Sequence, residues 1–146
     1  MNWEEIQNDA ENLVKEGYQK LSDSELFDWS RISKIPQEAG VSTIYKGKEL
    51  LYVGESENIY NKFAKHYNNP NSKSVFRRNL AEVKLGIPFK KNEKGKKVST
   101  MPVEEIIAKT QDYIKSCCFR YIIVDLGRSE LKEYIIKRYS PILNKK

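Results

Sequence analysis

Residues 41–54 read VSTIYKGKELLYVG, two runs of β-branched and aromatic residues separated by KGKE. Such runs suit a pleated, half-buried backbone, and Gly47 can take the positive φ of a tight turn. The reading is a β-hairpin with strands at roughly 41–45 and 49–53. The apolar period then lengthens: ENIYNKFAKHY (57–67) puts Ile59, Phe63 and either His66 or Tyr67 on one helical face, and Asn69-Pro70-Asn71 ends the helix.

Upstream, Trp3, Ile6, Ala10, Leu13, Val14 and Tyr18 recur at helical spacing among acids, an amphipathic helix whose Trp3 and Ile6 face is expected to pack on the domain and whose last turn Gly17 weakens. SDSE (22–25) reads as a capping signal for a second short helix that runs to about Ser33, before Pro36. Downstream, SVFRRNLAEVK (74–84) repeats the helical pattern, with Val75, Leu80 and Val83 as its apolar positions. GIPFKKNEKGKK (86–97) has no period and reads as a mobile basic loop. Thr100 and Pro102 open a helix through Val103, Ile106, Ile107 and Ile114, FRYIIVD (119–125) is a buried strand, and Glu130 to Tyr139 is a last helix between Gly127 and Pro141. A hairpin, then helices, then a late strand define an α/β (α+β) domain: a small, mainly antiparallel sheet flanked by helices.

The 146 residues suffice for one domain with its own core. The formal charge of +6 is unevenly spread: residues 1–40 hold nine acids and four bases, net −5, and residues 73–97 hold nine bases and two acids, net +7. A lysine and arginine cluster of this density attracts a polyanion, nucleic acid or, in competition, anionic lipid; a solvated lysine loop is the plain alternative. Cys117 and Cys118 are adjacent, which disfavours a disulfide and gives too few ligands for zinc, so a reducing, cytoplasmic setting is expected. No apolar run approaches the ~20 residues that span a bilayer, and no signal-peptide core is present, so no membrane partner is expected.

Gly40-Val41-Ser42 and Tyr52-Val53-Gly54 are similar to the two tripeptides of the GIY-YIG nuclease family, and Ser56, Asn58, Ile59, Lys62 and His66 follow in the family's order. SVFRRNL resembles the S-x-L-R-R stretch of a group of small bacterial members, and ELKEYIIKRYSPILN resembles their closing helix with its P-x-L-N ending. The resemblance runs from about Ile35 to Asn144, which divides the chain into an N-terminal helical extension (1–34) and a GIY-YIG-like domain (35–146).

The resemblance implies hydrolysis of phosphodiesters, with a divalent cation (Mg²⁺ or Mn²⁺) held by a glutamate of the closing helix, tyrosine hydroxyls acting on the attacking water, and an arginine stabilising the phosphate. A metal lowers the pKa of bound water and neutralises charge while a cation and a base complete the displacement. The family positions in this chain are Ser42, Tyr52, Lys62 and His66. Ser42 replaces a tyrosine, and Tyr45 points to the other strand face. Lys62 replaces an arginine and loses its planar fork. Lys132 occupies the position of the metal-binding glutamate; Glu130 or Glu133 would substitute only through a register shift, and Glu55 is a further carboxylate. Ordinary packing is the plain reading for Tyr52 and His66, and a turn requirement for Gly54.

Arg77, Arg78, Lys84, Lys90, Lys91 and Lys94 are the expected contacts to nucleic acid, DNA or RNA. Three functions fit: a nucleic-acid-binding protein on a degenerate nuclease fold, a working metal-dependent endonuclease, or a protein-interaction module or inhibitor that uses its acidic N-terminal region.

Overall fold

The computed structural model describes residues 2–144. Helix α1 (Trp3–Asp23) starts on a capping box in which the Asn2 side chain accepts from Glu5 N and Glu5 reaches back to Asn2 N. Strand β1 (Phe27–Asp28) leads into a 3-10 turn (Trp29–Lys34), then the hairpin strands β2 (Gly40–Lys46) and β3 (Glu49–Ser56). Helix α2 begins as Ile59–Asn61 and continues with wider π-type turns over Lys62–Tyr67, and α3 does the same over Val75–Asn79 and Leu80–Lys84. A two-residue ribbon, β4 (Lys90–Lys91) and β5 (Lys97–Val98), precedes α4 (Val103–Lys115), β6 (Cys118–Ile123) and α5 (Arg128–Tyr139).

The main sheet has the order β1-β6-β2-β3 and is antiparallel throughout. Gly47 makes the expected turn at φ 60°. Side chains alternate along β2, and each set has its own layer. Ile44 and Tyr52 face a large core with Trp29, Phe63, Tyr67, Phe76, Ile114 and Phe119; Val41 and Val53 face a smaller one with Leu21, Leu131 and Ile135. Helices α2, α3 and α4 therefore cover one face and α1 and α5 the other. The tail returns to the free edge of β3, where Leu143 N donates to Leu51 O and the Asn144 amide bonds both N and O of Val53.

Five local expectations are corrected. The face of α1 that packs is Val14, Tyr18 and Leu21, not Trp3 and Ile6, which are exposed. Gly17 lies inside this helix rather than in its last turn, and a Cβ there would make ordinary contact with Leu131 of α5. SDSE closes α1 instead of opening a helix, because Ser24 N and Oγ both donate to Leu21 O. Its successor is the short strand β1 and a turn capped by Asp28, whose side chain accepts from Ser30 N. In α3 the buried apolar residues are Phe76, Leu80 and Ala81, and Val75 is exposed. The basic loop is an ordered ribbon whose turn forms around Asn92, with Oδ1 accepting from Lys94 N and Lys96 N and Gly95 at φ 75°.

Strand β6 is internal to the sheet, but β1 pairs with only two of its residues, and beyond Phe119 it is half-buried to exposed. Packing runs across residue 34: Leu21, Trp29 and Phe27 all join the domain's cores. Among the described residues, no helix is long and apolar enough to cross a membrane.

Candidate functional site

The two tripeptides lie side by side, with Ser42 paired to Gly54 and Ile44 to Tyr52. Ser42, Tyr52 and Gly54 share the face of the large core. Helix α2 follows directly, its start fixed by Asn58, whose side chain accepts from Asn61 N.

The π-type turns of α2 determine which residue enters the site. In an α-helix residues 62 and 67 diverge; widening the turn toward i,i+5 bonding, as in Asn68 N to Phe63 O at 2.8 Å, brings them onto one side. Tyr67 therefore takes the buried position and His66 is left exposed. Lys62 Nζ sits 5.9 Å from the centre of the Tyr67 ring, a cation-π distance. The sequence could not choose between residues 66 and 67 because an ideal helical wheel places both, at i+3 and i+4 from Phe63, near the Ile59/Phe63 face.

Tyr67 occupies the space that the small residues Ser42 and Gly54 leave open. A Cβ added at Gly54 would collide with its hydroxyl, and that hydroxyl lies beside Ser42 yet completes no hydrogen bond among the described residues. Tyr67 packs edge-on against Tyr52 at 5.9 Å and against Phe63 and Phe76 at 5.1 and 5.0 Å. Ser42, Tyr52 and Tyr67 are 5%, 9% and 1% exposed. Burial raises the pKa of Tyr52 and pushes that of Tyr67 well up, so neither phenol gains basic character at neutral pH.

The residues present do not fit the divalent cation that the resemblance implies. Among the described residues, no group of three or more His, Cys, Asp or Glu is placed to hold a metal. Lys132 lies on α5, whose Leu131 and Ile135 pack against Val41 and Val53 on the sheet face opposite Ser42 and Tyr52. Glu130 and Glu133 are exposed on the same helix, and no described contact joins either to the tyrosine cluster. Glu55 is already engaged, with Oε2 3.3 Å from Arg128 Nε while Arg128 Nη1 donates to Val124 O and Asp125 O.

The basic residues form a separate feature. A groove of about 890 Å³ runs between α3, the β4–β5 ribbon and α4. Arg77, Arg78 and Lys91 line it, as do Lys73, Lys96 and Lys97, over a floor that includes Ile106 and Ile107. Other expected contacts lie elsewhere: Lys84 is bonded to Glu49 at 2.7 Å, which raises its pKa, Lys90 is on the outer side of the ribbon, and Lys94 is exposed at its turn. Arg77 differs from a surface charge. It is 5% exposed, and its Nη1 donates to Tyr67 O and Gln111 Oε1, both at 2.9 Å. Its burial was not readable from SVFRRNL, where both arginines look alike. Phe89, which also lines the groove, carried no signal in a loop with no period.

An antiparallel hairpin bearing both tripeptides, followed at once by a helix whose Lys62 lies near the Tyr67 ring that packs on Tyr52, is the architecture of a nuclease-type catalytic domain. The family model for the GIY-YIG catalytic domain matches residues 20–146, and the chain belongs to that family. The match starts 15 residues before Ile35, where the tripeptide-based resemblance begins, and takes in β1 and Trp29. No curated protein matches the chain.

Proposed function

We propose that this chain binds nucleic acid on a nuclease fold whose phosphodiester hydrolysis is lost or strongly reduced. The observation that carries this reading is the sealed tyrosine cluster. Catalysis needs a hydroxyl within reach of an attacking water and a site for the scissile phosphate. Here Tyr52 and Tyr67 are buried against Phe63 and Phe76, with phenol pKa values raised rather than lowered. The carboxylate position holds Lys132, and Glu55 is neutralised by Arg128. Affinity for a polyanion rests on different residues, the arginines and lysines that line the groove beside the β4–β5 ribbon, and does not need the tyrosines.

The test pairs a cleavage panel of single-stranded, duplex and branched DNA and RNA, with Mg²⁺ or Mn²⁺, with a binding titration at low and moderate salt. Salt-sensitive binding without cleavage is the expected result. Metal-dependent cleavage that Tyr52→Phe abolishes would overturn the reading in favour of an endonuclease. No binding even at low salt would favour a protein-interaction module.

A further inference from the structure

Resting on the reading that the protein binds nucleic acid, we propose that the groove between α3, the β4–β5 ribbon and α4 is a site for single-stranded nucleic acid, with Phe89 stacking on a base and Arg77, Arg78 and Lys91 holding the phosphates.

A buried guanidinium normally faces a carboxylate, because an uncompensated charge away from water is costly. Arg77 has no carboxylate partner among the described residues; its Nη1 acceptors are a backbone carbonyl and an amide oxygen, both neutral. Nε and Nη2 have no partner among the described residues, and the residue lines the groove. Gln111 is itself anchored, its Nε2 donating to Asn68 Oδ1 at 2.8 Å, so the guanidinium is fixed before any ligand arrives. A preorganised cation that lacks its counter-charge fits a phosphate oxygen, which accepts from the planar fork in two places.

The opposite wall supplies what a base requires. In the ribbon Lys91 pairs with Lys97, and Phe89 lies just before β4, two residues from Lys91. All three line the groove, while Lys90 and Val98 form the outer pair. The ribbon is tied to α3 through Lys97 Nζ and Glu82 Oε1 at 2.8 Å, which leaves Lys73, Arg77, Arg78, Lys91 and Lys96 as the groove's cations outside that ion pair. A half-buried aromatic ring beside a line of cations accepts an unstacked base but not one inside a duplex. At about 890 Å³ the groove has room for a few nucleotides. The groove adjoins the tyrosine cluster at Arg77, whose Nη1 donates to the Tyr67 carbonyl, but none of the family's catalytic side chains lines it.

The test uses the full chain and labelled poly-dT and poly-rU of about 12 nucleotides, against duplexes of the same length. Either single strand binding more tightly than its duplex is the expected result, with Phe89→Ala lowering that affinity about tenfold. Lys91→Gln reduces the salt slope of single-strand binding by about 0.7, whereas Lys90→Gln leaves it unchanged. Because Phe89→Ala could disturb the ribbon, Phe89→Trp gives a second readout: its added emission is quenched when the strand binds. Unquenched emission at saturating oligonucleotide, or equal affinity for duplex with no effect at residue 89, overturns the groove while leaving nucleic-acid binding intact. Absence of binding to every nucleic acid at low salt overturns both.

Discussion

Tyr67 carries the main consequence at the level of single residues. Its hydroxyl is buried beside Ser42 with no hydrogen bond among the described residues, so removing it removes a desolvated dipole rather than an interaction. Tyr67→Phe is therefore expected to be neutral or to stabilise by up to about 1 kcal/mol, the reverse of the usual result for a buried tyrosine. Gly54→Ala drives a methyl into the same hydroxyl and is expected to destabilise by about 1–3 kcal/mol. The two changes meet at one atom, so the double variant should recover about 1 kcal/mol or more of the Gly54→Ala loss. Urea unfolding of the four proteins measures this, and strict additivity would show that Tyr67 is placed otherwise. Cys117 gives a pH-dependent counterpart. It is 1% exposed, and burial pushes its thiol from 9.0 up to about 11. The folded state thus retains a proton that the unfolded state releases, so this stability is intact below about pH 9 and is lost as pH rises toward about 11. The loss at full ionisation is on the order of 2 kcal/mol. The thermal midpoint should fall over that range, and less steeply in Cys117→Ala.

At the level of elements, α1 separates what pattern shows from what only packing shows. Its helical period was plain from Trp3 to Tyr18, but period identifies a stripe and not the part of it that meets the domain. The structure engages only the second half: Leu21 is buried, and Tyr18 stacks on Tyr139 at 4.7 Å, whereas Leu13 is 67% exposed. Leu21→Ala is accordingly expected to cost about 2–4 kcal/mol and Leu13→Ala less than about 0.5 kcal/mol, as read from chemical denaturation. Equal losses would mean that the first half of α1 is also covered. The hairpin, α4 and α5 were legible because each carries a local signal: Gly47 in its turn, Pro102 at a helix start, and Pro141 after a helix end. The β4–β5 ribbon was not, since two-residue strands hold no period and its order comes from the Asn92 side chain and the Lys97 to Glu82 pair. Of the candidate site, the strand positions Ser42 and Tyr52 came from the likeness of their two tripeptides to those of the family. Tyr67 could not be read, because its entry depends on the π-type turns of α2, which no residue type announces.

For the whole molecule, the sheet separates two charge regimes. Acidic α1 lies with α5 on one face, while α3, α4 and the basic groove belong to the other. The acids of α1 are thus placed to act on a polyanion through space rather than by occupying the groove. Residues 1–12 contain four acids and no bases, so removing them takes the formal charge from +6 to +10. Little packing goes with them, since Val14, Tyr18 and Leu21 remain. Repulsion of this kind fades beyond a Debye length of about 10 Å at 0.1 M salt. The truncated protein is therefore expected to bind single-stranded nucleic acid several-fold more tightly at about 0.02 M salt and equally well above about 0.2 M. The change should appear mainly in the association rate, where long-range fields act. If α1 instead folded back as a competitor for the groove, its removal would strengthen binding at every salt concentration. Stopped-flow association and an equilibrium titration across that range separate a remote field from a direct cover.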